Sequence, residues 1–382
     1  MSNKLIIACA GAGKTHRIVS EAINSVKEGE KILIVTYTIN NQEEIYEKYK
    51  LLGGNDYDKF KVKGFFSFLL EDIIRPYQNI FFHKRIESLI FNDKDPHKNN
   101  GRTMLGRKEK LNDGTVNPMY YLSKDGTKVH STYIAKLSNL IINETKGLPI
   151  KRLEKIYGKV YFDEVQDLVG WDYEILKWLS KSSKISLTCV GDFRQTIYQT
   201  AITNKKPILT IDKIKFYKNR KFEIEEISES KRSVLEICKL SDMVHFGMKF
   251  SSTASNVNIN NDEISKHVGV FIVKESNVNN YLEKYNPVVL MPKITSGNKY
   301  NIESLRKITY GKSKGLGFDR IIIIPTSKYI DFLCGKNTIF DTQKTESSRN
   351  KLYVSLTRAR YSVAIIFPDE IPDTCTLTVW NP

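Results

Sequence analysis

Small residues, a lysine and a threonine crowd the start of this chain, in the run LIIACAGAGKTHRI at 5–18. Residue types at Ala10, Gly11, Ala12 and Gly13 let backbone N–H groups come close to a polyanion and wrap a triphosphate. Lys14 can then reach the outer phosphates, and the Thr15 hydroxyl can hold a magnesium ion. The general pattern GxxxxGK[ST] has glycine at its first position, where this chain has Ala8. The loop therefore needs a second nucleotide element beside it. One stands at 159–167, KVYFDEVQD, where an apolar run ends in two carboxylates. Asp163 there can hold Mg²⁺ through water, while Glu164 orients and deprotonates an attacking water. A solvated acidic turn would carry the same charges, but it would not need an apolar strand to deliver them. Phosphate loop and acidic strand end together specify a nucleoside triphosphatase.

Both elements need a scaffold of strands and helices. KLIIA reads as a short buried strand, and THRIVSEAINSVKEG as an amphipathic helix with Ile18, Ile23 and Val26 on one side. That is the strand, loop and helix order a phosphate loop requires. Farther on, VGVFIV (268–273), PVVLM (287–291) and RIIIIP (320–325) are strand-like runs that predict a second α/β unit.

Composition narrows the partners. The 382 residues suffice for two or three domains, and 41% apolar with 11% aromatic residues fits a folded chain. No apolar run approaches the roughly 18 residues of a membrane span, so no membrane association is expected. Ile6-Ile7-Ala8-Cys9 behind Lys4 imitates a lipoprotein cleavage box, but its apolar core is shorter than the roughly 7 to 15 residues a leader needs. The five cysteines are scattered and form no CxxC pair, which predicts reduced thiols, a cytoplasmic setting and no structural zinc. A formal charge of +16 favours a polyanionic partner, because each neutralised phosphate releases counterions. A lysine-rich surface that merely aids solubility would give the same number.

The alanine variant of the phosphate loop, joined to DEVQD, resembles the UvrD/Rep branch of superfamily 1 DNA helicases. Other motifs of that family follow in order. KILIVTYTINNQEEI (31–45) is similar to its first DNA-touching segment, which implies that Tyr37 stacks a base and that Thr36 and Thr38 face phosphate. KGFFSFLLEDIIRPY (63–77) resembles the next, centred on Ser67; LTCVGDFRQTIYQT (187–200) carries Gln195 at the γ-phosphate sensor and Tyr198 at a base-stacking place. ISESKRSVLEI (227–237) puts Arg232 at a γ-phosphate arginine, YGKSKGLGFDRIIII (310–324) puts Lys314 at a DNA-contacting position, and RNKLYVSLTRARYSVAII (349–366) puts Arg358 at the arginine finger.

The resemblance implies two RecA-like parallel-sheet motor domains with a small, mainly helical insertion in the first. Its expected boundaries are 1–75 with 149–210 for the first, 76–148 for the insertion and 211–382 for the second. It also implies ATP and Mg²⁺ as cofactors, hydrolysis in the cleft between the two domains, single-stranded or forked DNA as partner, and 3′-to-5′ movement. An arginine that stabilises transition-state charge from a separately moving body would let hydrolysis drive that motion.

Several residues depart from the family pattern. No glutamine-containing adenine segment precedes Lys4 in this sequence, and Lys231 stands where an adenine-stacking tyrosine is usual, so adenine selectivity is expected to rest on fewer contacts. Thr200 replaces an aromatic residue, Gly317 replaces a ribose-binding glutamate, and the stretch 240–307 is too short for a large second insertion. The run KDPHKNNGRTMLGRKEK (94–110) reads as a polar loop. These departures keep a second reading open: a nucleic-acid-sensing ATPase that regulates a partner nuclease, similar to the helicase-like subunits of Gabija-type antiviral defence systems. No guanine-specifying NKxD follows the acidic motif, which argues against a GTPase switch.

Overall fold

The computed structural model describes residues 2–342 and 345–382. They form two compact units. The first comprises the chain up to Ile7, Lys14–Gly191 and Tyr198–Glu225; the second comprises Ala8–Gly13, Asp192–Ile197 and Glu226–Pro382.

Six strands make the sheet of the first unit: β1 (Lys4–Ala8), β2 (Ile32–Thr36), β3 (Phe60–Gly64), β4 (Lys159–Phe162), β5 (Ser186–Gly191) and β6 (Glu223–Ile227). Their order is β6-β1-β5-β4-β2-β3. Pairing from β1 to β3 is parallel, with Ile6 opposite Val190 and Ile34 opposite both Tyr161 and Val62. Such strands are covered on both faces and need continuous apolar runs; ILIVT in β2 is buried at every residue. Helix α1 (Lys14–Lys27) packs with Ile18, Val19, Ala22, Ile23 and Val26 buried, as the apolar spacing predicts. In the sheet order β1 and β4 flank β5, so their carboxyl ends emerge about 10 Å apart on one edge. This is where open α/β sheets bind ligands.

The stretch 76–148 is less helical than expected. Among its described residues the one long helix is α2 (Ile134–Glu144); the rest is a short strand pair, Ser88–Ile90 with Lys128–His130, a two-residue hairpin at Lys98–Asn99 and Arg102–Thr103, single helical turns at Gln78–Ile80 and Pro118–Tyr121, and loops. The cause is local: Pro96, Gly101, Gly106 and Gly114 interrupt any helical period. His97 fills the centre of this part, its ring 4.4 Å from that of Tyr120 and 4.6 Å from that of Tyr133.

The second unit has its own six strands: β7 (Gly269–Lys274), β8 (Val288–Met291), β9 (Lys307–Thr309), β10 (Phe318–Ile323), β11 (Ala359–Phe367) and β12 (Thr378–Val379). They are ordered β9-β8-β10-β11-β7-β12, and every pairing is parallel. Alternate residues feed two apolar layers, Ile321, Ile323, Val363 and Ile365 on one face and Ile322, Ala364 and Ile366 on the other. Residues 235–309 hold helices α3 (Leu235–Met243) and α4 (Val278–Tyr285), strands β7 to β9, and short turns and loops between them. The expected class, two parallel-sheet α/β units of RecA-like type, is what the chain forms. No helix of the described residues is long and apolar enough to cross a membrane.

Candidate active site

Strand β1 ends at Ala8, the loop runs to Gly13, and α1 opens directly with Lys14 and Thr15. Gly11 and Gly13 both have positive φ, 76° and 77°, which glycine adopts without steric cost. At Gly11 space is also short: a Cβ there would lie 2.5 Å from Arg232 Cβ and 2.8 Å from Ser230 Oγ. Backbone binds backbone at the same point, where Lys231 N donates to the Gly11 carbonyl at 3.0 Å. Ala8, the departure from the glycine pattern, is wholly buried with Cys9 and Ala12. Thr15 is half-buried in the first turn of α1, a turn whose free amides favour anions.

Strand β4 delivers the two carboxylates. Asp163 N donates to Val35 O at 2.8 Å, and Glu164 N to Asp163 Oδ1 at 3.0 Å. Glu164 takes φ +57°, a left-handed conformation that costs about 1 to 3 kcal/mol for a residue with a side chain and collects at functional positions. Lys14 Nζ stands 3.8 Å from Glu164 Oε1, with the side chains only 13% and 17% exposed. Gln166 Nε2 donates to the other Glu164 oxygen. Burial first, and the Glu164 charge second, push the Asp163 carboxyl up to about 7, against the opposing pull of Lys14. Asp163 and Glu164 stand with Lys14 in one cluster, and with the Thr15 hydroxyl they offer the hard oxygen donors a divalent cation takes. The residues fit magnesium.

A second cluster is centred on Asp192, which sequence reasoning missed. Its Oδ2 accepts from Gln195 Nε2 at 2.8 Å and from the Tyr353 hydroxyl at 3.1 Å. The Tyr353 oxygen in turn accepts the Ala10 amide at 3.2 Å. Asp192 Oδ1 accepts from Arg194 N at 3.2 Å and Nε at 3.1 Å, and Arg194 Nη1 continues to Asp242 Oδ1 at 3.1 Å. A buried chain thus runs from the phosphate loop through Tyr353 and Asp192 to Gln195. The only signal in the sequence was the Asp-x-Arg-Gln order itself.

The two arginines differ. Arg232 is half-buried beside Gly11, its Nη1 3.5 Å from Thr357 O and its Nε 3.5 Å from where a Gly317 Cβ would lie. Arg358 is fully buried. Its guanidinium donates to Val354 O at 2.9 Å, Leu316 O at 3.0 Å, Thr357 Oγ1 at 3.1 Å and Ser313 O at 3.5 Å. Those carbonyls belong to the Lys314 segment and to the helix Glu346–Leu356, so in this structure Arg358 ties main chain together. Lys314 is half-buried in that segment.

Among the DNA candidates, Thr38 is exposed and caps the helix Ile39–Leu51 by accepting from Asn41 N. Ser67 is exposed on the short turn Phe65–Phe68, Tyr37 is half-buried against Phe66, and Tyr198 is 44% exposed. Thr36 is buried, with its hydroxyl accepting from Asn41 Nδ2. Thr200 is also buried and donates to Asp172. Lys231 is exposed. Among the described residues there is no group of three or more His, Cys, Asp and Glu placed to hold a metal ion, and none of the five cysteines is in a disulfide.

Comparison with known proteins agrees with these motifs over part of the chain. Residues 1–117 match the family described as UvrD/REP helicase N-terminal domain. No curated protein matches. One matching solved structure is that of arterivirus nonstructural protein 10, a helicase, in complex with DNA, 12% identical with a TM-score of 0.46. The match covers 96% of this chain and 61% of that one, so the chain spans about three fifths of its neighbour's length. The family match thus makes the N-terminal 117 residues similar to the UvrD/REP helicase N-terminal domain.

Proposed function

We propose that the protein is an ATP-driven DNA translocase or helicase of UvrD type, moving 3′ to 5′. The observation that carries this reading is Lys14 held 3.8 Å from Glu164, beside a buried Asp163, where a glycine loop opens a helix. Lys14 binds the outer phosphates of ATP and in doing so leaves Glu164. Glu164 then orients a water and takes its proton. Thr15 and Asp163 hold Mg²⁺, which supplies neutralising charge to the phosphates. Arg232, packed on Gly11, adds a cation to the loop, and Gln195, fixed by Asp192, presents its amide as sensor. Arg358 completes the arginine set after release from the carbonyls that hold it here. Tyr37, Thr38, Ser67, Tyr198 and Lys314 carry the strand. The division into 1–75 with 149–210, 76–148 and 211–382 belongs to the same proposal.

The test is ATP turnover without nucleic acid, with single strands and with forked duplex, followed by strand displacement on both tail polarities. Turnover stimulated by single strands, with displacement only from a 3′ tail, is expected. Turnover indifferent to DNA overturns the motor reading.

A second reading keeps the ATPase and drops the unwinding: a sensor subunit whose nucleotide cycle controls a partner nuclease in antiviral defence. The observation favouring it is that residues 235–309 hold three strands of the second sheet and only short helices beside them, while Thr200 is buried on Asp172. DNA-stimulated turnover without displacement on either polarity selects it.

A further inference from the structure

We propose that Tyr37, Phe66 and Phe91 form one stacking row for the bases of single-stranded DNA, in which Phe91 is a binding residue supplied by the insertion. This rests on the reading of DNA as partner, and it adds a site outside the motifs that led to that reading.

The three rings touch in sequence. Tyr37 and Phe66 have centroids 5.7 Å apart with planes at 65°, and Phe66 and Phe91 repeat the relation at 5.7 Å and 66°. Edge-to-face contacts of this kind fix ring orientation. Tyr37 follows β2, Phe66 follows β3, and Phe91 follows the short strand Ser88–Ile90. Three separate strand ends therefore deliver one aromatic side chain each to a single row.

Exposure rises along it. Tyr37 and Phe66 are half-buried, whereas Phe91 is 72% exposed. A solitary exposed phenylalanine needs no explanation; this one is the outer member of a row whose inner member is the motif tyrosine. The first two rings are each followed in the chain by an exposed hydroxyl residue, Thr38 and Ser67, which suits a strand whose phosphates run beside its bases. The insertion as a whole leans toward the same occupant: between 76 and 148 there are 12 Lys and Arg against 7 Asp and Glu, although Lys94, the exposed lysine nearest Phe91 in the chain, stands between Asp93 and Asp95. Aromatic faces flanked by basic residues are how non-specific single-strand sites are built, each base gaining about 1 to 3 kcal/mol from stacking.

The test uses the full chain with fluorescein-labelled oligo(dT), read by anisotropy over a range of salt, for wild type, Phe91→Ala and Phe91→Trp. DNA-free ATP turnover serves as the control for folding. Phe91→Ala should raise Kd on the order of 10-fold, and Phe91→Trp should return it to the wild-type value or below. The slope of log Kd against log salt should not change, because a phenyl ring neutralises no phosphate. A Kd for Phe91→Ala equal to wild type overturns the row while leaving the DNA reading intact, and so does a changed salt slope. Wild type that turns over ATP yet binds no oligonucleotide overturns both.

Discussion

Two buried charge clusters in this molecule are built in opposite ways. Around Asp192 each charge is answered: two donors reach each carboxylate oxygen, and Arg194 spans to Asp242 while lying over the rings of Phe250 and Tyr353 at 5.1 and 5.0 Å. Around Asp163, Lys14 stands 3.8 Å from Glu164, which lies on left-handed backbone, while burial and the Glu164 charge push the Asp163 carboxyl up. A cluster that completes its own hydrogen bonds holds a structure in place. A cluster that holds two carboxylates close together favours a cation that joins it. The difference separates residues that position from residues that react, within one set of motifs.

The comparison is broken most directly at the reacting cluster. Lys14→Ala or Glu164→Gln should lower ATP turnover by roughly 10²- to 10³-fold; Glu164→Gln, which leaves one carboxylate with Lys14, should keep or raise the thermal midpoint, whereas Lys14→Ala, which takes the cation from both carboxylates, should lower it. Turnover by malachite-green phosphate release and melting by circular dichroism read the two effects. Full turnover in Lys14→Ala would remove the basis for the site.

The positioning cluster should respond the other way. Asp192→Ala strands Arg194 in a buried setting, and loss of one partner from such a pair costs about 3 to 5 kcal/mol. Urea unfolding should show it as a drop in stability; a variant as stable as wild type would mean that Asp242 and the two rings hold Arg194 unaided. Tyr353→Phe is the finer cut. It removes the hydroxyl between the Ala10 amide and Asp192, a loss of about 1 to 3 kcal/mol for the unsatisfied buried amide. Because Gln195 shares the same carboxylate oxygen, kcat should fall more than KM rises. Equal stability and an unchanged kcat would show the chain from loop to sensor to be incidental.

The sequence exposed one cluster and hid the other for a physical reason. Strands β1, β2, β4 and β10 were legible because parallel strands covered on both faces leave unbroken apolar runs, and the reacting residues sit at the ends of those runs. Tyr353 and Asp192 lie 161 residues apart, and no local periodicity connects them. Arg358 was legible as an arginine at a motif position, but its full burial was not, because desolvation depends on the carbonyls of Ser313 and Leu316 arriving from elsewhere in the fold. The insertion misled for a simpler cause. Its apolar residues support one long helix, α2, and otherwise an aromatic centre around His97 and a strand pair.

The smallest expected effect concerns His245, which borders the Asp192 cluster. Its Nε2 pairs with Asn350 Oδ1 at 2.8 Å, while Asn350 Nδ2 donates to Thr196 O at 2.8 Å. Burial pulls its pKa down to about 3, helped by the positive charges of Arg349 and Arg194 and opposed by the Asn350 bond and by Asp192. A base whose folded pKa is depressed binds fewer protons folded than unfolded between that value and the usual one of about 6.5. Its contribution to stability is therefore whole above about 6.5 and drains away as pH falls toward 3. Going from near pH 7 to near pH 5 should remove about 2 kcal/mol through this group. His245→Gln keeps a hydrogen-bonding partner for Asn350 and cannot titrate. Its urea midpoint should start below wild type near pH 7 and close most of that gap near pH 5. Parallel decline of the two proteins would place the acid sensitivity outside this cluster, and the contrast between a satisfied and an unsatisfied site would then rest on Asp163 alone.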